Sequence, residues 1–84
     1  MDKLAEFRKQ IEQIDAEIAE LFVKRMKVCA EIGLYKKENN LPIFDGKREE
    51  ELREINVQKV DKQYQKGYEK LFNLILSLSK DVQL

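Results

Sequence analysis

Arg25 and Lys36 are the two residues of this sequence best placed to act on one ligand. Eleven positions separate them. On a single helix that is about three turns, so the guanidinium and the ammonium project within roughly 20° of each other. Arg25 also interrupts an apolar stripe that runs Leu4, Phe7, Ile11, Ile14, Ile18, Leu21 before it and Val28, Ile32, Tyr35 after it. An arginine in such a seam can snorkel to solvent or specify register. It can equally hold an inward guanidinium ready for a carboxylate. Beyond the only proline, Pro42, come Asp45, Arg48 and Glu49; near the C-terminus Ser79 and Gln83 stand four apart. Taken singly, these are a solvated charged face and the polar edge of a terminal helix. Taken with Arg25 and Lys36, they could form the wall of an anion site.

Composition narrows the chemistry. The 84 residues include no histidine, which removes the usual general base near neutral pH and the commonest metal ligand. The single cysteine, Cys29, allows neither an internal disulfide nor a multi-thiolate metal site, and at its helical spacing it reads as a small buried hydrophobe. Sixteen Lys and Arg balance sixteen Asp and Glu, so no net basic field argues for nucleic acid or an anionic membrane. No apolar run approaches the length of a bilayer span and no signal-peptide pattern opens the sequence, so the expected location is the cytoplasm.

The elements that must carry these residues are helical. Steps of three and four from Leu4 to Tyr35 keep one apolar seam over roughly four heptads, predicting a helix over about 4–39. Such a helix is ~50 Å long, whereas a compact chain of this size has a radius of gyration of about 12 Å. The remaining residues cannot cover its whole stripe, so the length predicts an intertwined helical homodimer. Asn39-Asn40 before Leu41-Pro42 ends the first helix, and Asp45 is placed to cap a second over about 46–60. Asp61 is a candidate cap for a third, over about 61–82, with Tyr64, Tyr68, Leu71, Phe72, Ile75, Leu78 and Val82 as its stripe. The expected fold class is all-α, one domain of three helices. Arg8 lies about 25 Å from Arg25 along the first helix, so the two reach one small ligand only if a second long helix runs antiparallel.

The ordered set resembles the all-helical chorismate mutases over nearly the whole chain. It comprises Phe7-Arg8 followed by Ile11 to Asp15, Lys24-Arg25 in mid-helix, Tyr35-Lys36 near its end, Pro42-Ile43-x-Asp45-x-x-Arg48-Glu49, and Ser79-x-x-x-Gln83. The resemblance implies the Claisen rearrangement of chorismate to prephenate, in a dimer whose two sites each borrow an arginine. By that likeness the partner's Arg8, with Arg25 and Arg48, grips the substrate carboxylates, and Ser79 contacts one of them. Lys36 and Gln83 donate toward the ether oxygen, and Glu49 takes the ring hydroxyl with Asp45 in support. A pericyclic step needs no nucleophile, general base, metal or cofactor, so a site without histidine suffices. Two alternatives stand beside it: an isochorismate pyruvate-lyase on the same fold, and a non-catalytic helical dimerisation module.

Overall fold

The structure, a computed structural model, describes residues 2–84. Helix α1 spans Lys3–Glu38, 36 residues. It begins where Asp2, in extended conformation, accepts the Leu4 amide at 3.0 Å; a carboxylate at that position satisfies one of the four amides a helix start leaves free. It ends as the two asparagines demand. Asn40 takes a left-handed φ of 55°, the Leu41 amide returns to the Lys36 carbonyl at 2.8 Å, and the Asn40 amide returns to that of Lys37. This is the Schellman closure, and asparagine tolerates its left-handed position better than most residues.

Helix α2 spans Gly46–Val57 and is capped by Asp45, whose Oδ1 accepts the Arg48 amide at 3.1 Å. It stops three residues before the expected 60. A turn follows, then a short 3-10 segment, Lys62–Tyr64, and only then α3, Gln65–Asp81. Asp61 therefore precedes the 3-10 turn rather than α3, and its side chain makes no capping bond. The turn is closed by backbone instead, Tyr64 N to Asp61 O at 2.8 Å, while the Gln65 side chain donates to the Val60 carbonyl at 3.0 Å.

Helix α3 is the centre of the chain, packed on both α1 and α2, while α1 and α2 do not pack on each other. That arrangement leaves a space between α1 and α2 with α3 as its floor. The buried set is small: Cys29, Phe72, Leu76 and Ser79, with Gly33 opposite the end of α3. The N-terminal half of α1 stands clear of everything, with Leu4 53%, Ile11 55% and Ile18 56% exposed. Extents of 59 × 25 × 15 Å and a radius of gyration of 16.4 Å describe a rod with a folded end, well above the about 12 Å of a compact chain this long. Among the described residues no helix is long and apolar enough to cross a membrane.

Candidate active site

The space between α1 and α2 is a cavity of about 540 Å³, within the range of small-molecule sites. Helix α1 lines it with Arg25 and Lys36, α3 with Ser79, the turn after α3 with Gln83, and the N-cap and first turn of α2 with Asp45, Arg48 and Glu49. Val28, Ile32, Ile43, Leu52 and Leu76 supply an apolar lining between them. Seven of the eight residues singled out in the sequence thus meet around one cavity. Arg8 does not; it is exposed on the first turns of α1, beside Glu6 and Glu12.

Arg25 is half-buried because α3 passes over it. Its guanidinium donates to the Ser79 hydroxyl and to Cys29 Sγ at 3.6 Å, and it lies 5.7 Å from the centre of the Phe72 ring. The Ser79 hydroxyl passes its own hydrogen to the Ile75 carbonyl at 2.6 Å. Arginine carries five donor hydrogens in a rigid fork, so these contacts fix its direction and leave donors for a ligand. The structure thus favours the inward guanidinium over the snorkelling one.

Lys36 is tied to the loop it precedes. Its carbonyl closes the end of α1, and its Nζ donates to the Ile43 carbonyl at 3.0 Å. One ammonium hydrogen is used and two remain. Pro42 and the Asp45 cap therefore settle how the Lys36 end of α1 faces the Arg48-Glu49 start of α2. Arg48 is on the open rim, 3.8 Å from Glu51 in a solvent-exposed pair of a kind that contributes little to stability. Its guanidinium is correspondingly free to turn to a ligand.

Gln83 reaches the site through a close approach of backbones. Gly33 is buried, and a Cβ there would stand 2.7 Å from Gln83 Cα and 2.9 Å from its carbonyl oxygen. No side chain fits, so glycine is what lets the final turn lie against α1. Lys37 secures the same turn by donating to the Leu84 carbonyl at 2.6 Å. The Gln83 amide nitrogen donates to the Ser79 carbonyl at 3.1 Å, keeping one hydrogen free, and its buried Oε1 has no hydrogen-bond partner.

Two residues went unnoticed in the sequence. Gly33, a glycine near the end of the long helix, carries no chemical group to draw notice. Lys80 lines the cavity next to Ser79, three before Gln83, and that spacing on one helix face was the available signal. Its Nζ lies 3.5 Å from Glu49 Oε2. Four cations, Arg25, Lys36, Arg48 and Lys80, now face two carboxylates, Asp45 and Glu49. The cavity carries an excess of positive charge within a chain of zero net charge. Such a pocket attracts a small polyanion and holds it by directed donors.

This three-helix fold defines a known class of all-helical proteins. The chain belongs to the chorismate mutase type II family, whose model matches residues 7–84. It is similar to a bifunctional chorismate mutase/prephenate dehydratase of Aquifex aeolicus, 33% identical over 100% of this chain and 26% of that protein. It is also similar to a 3-dehydroquinate dehydratase of Pyrobaculum aerophilum, 30% identical over 96% of this chain and 24% of that one. The chain thus spans about a quarter of the length of these relatives. Among solved structures, a conserved hypothetical protein from Pyrococcus furiosus is 39% identical with a TM-score of 0.81, covering 100% of this chain and 99% of that one.

Proposed function

We propose that this chain catalyses the rearrangement of chorismate to prephenate, by positioning and electrostatics alone. The observation that carries the reading is the single cavity gathering Arg25, Lys36, Glu49, Ser79 and Gln83 from three helices, with Arg48 and Asp45 at its mouth. In this reaction the ether C–O bond breaks as a new C–C bond forms, and no proton moves. Negative charge builds on the ether oxygen while the C–O bond lengthens. The enzyme has two tasks: to fold the side chain over the ring, and to aim donors at that oxygen.

Arg25, Arg48 and the partner's Arg8 hold the two carboxylates, and Ser79, bonded to Arg25, contacts one of them. Arginine pairs with carboxylates bidentately, which fixes orientation as well as distance. Holding the reacting carbons in contact recovers several kcal/mol of the barrier. The free hydrogens of Lys36 and of the Gln83 amide point to the ether oxygen, and a preorganised donor at a developing oxyanion is worth about 3–4 kcal/mol. Glu49 accepts the ring hydroxyl, and Asp45, already committed to the α2 cap, supports that end of the cavity.

The active species is a homodimer. The exposed stripe from Leu4 to Leu21 is the surface a second long helix covers, and an antiparallel partner brings its Arg8 to this cavity. Substitution tests the site: Arg25→Ala and Lys36→Ala each lower kcat/KM at least about a hundredfold while circular dichroism keeps its helical amplitude. Wild-type-like turnover in either variant removes the mechanism. Release of pyruvate from isochorismate, with no prephenate from chorismate, replaces it with the lyase. Absence of both activities, and of binding to a dicarboxylate mimic of the transition state, leaves a dimerisation module.

A further inference from the structure

Lys80 lines the cavity, and none of the roles above uses it. Its Nζ lies 3.5 Å from Glu49 Oε2, with 39% of the lysine side chain and 18% of the glutamate side chain exposed. The same nitrogen lies 4.9 Å from the centre of the Phe44 ring. Three segments meet at one ammonium: α3 supplies it, α2 supplies the carboxylate, and the loop before α2 supplies the ring. A Cβ at Gly46 would stand 3.1 Å from Phe44 Cζ, so a side chain there would shift the ring by a few tenths of an ångström.

A lysine in the last turn of a helix ordinarily needs only solvent and the negative helix end. This one is turned inward and holds a mostly buried carboxylate, where an ion pair is screened less than on the surface. The face of the Phe44 ring lies against it from a second side. A carboxylate offers two oxygens, each able to accept. With Oε2 engaged by Lys80, Oε1 is the oxygen left for a ligand. Without Lys80, the Glu49 carboxylate is drawn toward the other cations of the cavity, Lys36 and Arg48.

We propose that Lys80 is a positioning residue for ring-hydroxyl recognition: by holding one Glu49 oxygen it aims the other into the cavity, selecting hydroxylated over deoxygenated cyclic dicarboxylates. This rests on the reading of Glu49 as the acceptor of the ring hydroxyl.

The test is calorimetric binding to the full 84-residue chain of two bicyclic dicarboxylates shaped like the rearranging substrate, one with the ring hydroxyl and one without. Lys80→Met weakens the hydroxylated ligand about tenfold and the deoxygenated one less than about twofold. Lys80→Arg keeps most of the discrimination, and Lys80→Met adds nothing once Glu49 is Gln. Equal weakening of both ligands in Lys80→Met, or no weakening of either, overturns the role of Lys80. A wild-type chain that binds both ligands equally overturns the reading of Glu49 instead, and one that binds neither overturns the site. Unchanged helicity of each variant by circular dichroism separates these outcomes from misfolding.

Discussion

At the scale of single residues, three of the cavity's donors have their direction fixed by protein contacts before any ligand arrives. Arg25 is held by Ser79 and Cys29, Lys36 by the Ile43 carbonyl, and Gln83 by the Ser79 carbonyl. Arg25 was legible in the sequence because a guanidinium in an apolar seam breaks a pattern. Lys80 was far less so: its spacing of three from Gln83 was the one signal, and a base in a last turn is what the helix dipole favours anyway. Gln83 makes a sharper prediction. An amide donates at any pH, so with Gln83 the proposed activity holds level across the neutral range. In Gln83→Glu the side chain donates only when protonated. Activity is then present below its pKa, about 4.3 for an unperturbed glutamate, and is lost as pH rises through it. A pH–rate profile of the variant that stays flat through neutrality contradicts the donor role.

Between elements, the decisive feature is where backbones touch and where they do not. Helices α1 and α2 are kept apart by α3, and the cavity is the gap. The first boundary of that gap was readable: two asparagines before Leu41-Pro42 end α1, and Asp45 starts α2. The α2–α3 connection was not. Asp61 looks like a cap, but the turn closes through backbone hydrogen bonds and α3 starts four residues later, at Gln65. Nor does one sequence reveal a contact across fifty positions such as Gly33 with Gln83. Gly33→Ala tests that contact. Alanine favours the helix by up to about 1 kcal/mol, so helicity is retained. The Cβ displaces the final turn, and kcat falls about tenfold or more as Gln83 leaves its proposed place at the ether oxygen. Loss of helicity on this substitution, or unchanged kcat, contradicts the account of that wall.

At the scale of the whole molecule, one chain leaves half of its longest helix uncovered. A radius of gyration of 16.4 Å, and half of a long helix with its isoleucines about half exposed, describe an elongated chain whose apolar stripe its own helices do not cover. The length of the seam made that legible in the sequence, since no arrangement of the remaining residues reaches it. What the sequence could not show was the cavity at the folded end, which depends on three helices meeting. The proposed dimer joins the two ends, and mixing tests it. Arg8→Ala and Arg25→Ala are each nearly inactive alone. Refolded together at equal amounts, half the dimers are mixed and each has one intact site, so activity returns to roughly a quarter of wild type. No recovery places Arg8 outside the site, and a folded monomer in sedimentation at micromolar concentration removes the dimer. The most direct measurement is simpler still: the purified 84-residue chain, without added metal or cofactor, incubated with chorismate and followed by NMR. Prephenate as the sole product, formed at a rate that Lys36→Ala abolishes, is the predicted result; chorismate left unchanged by the folded chain contradicts it.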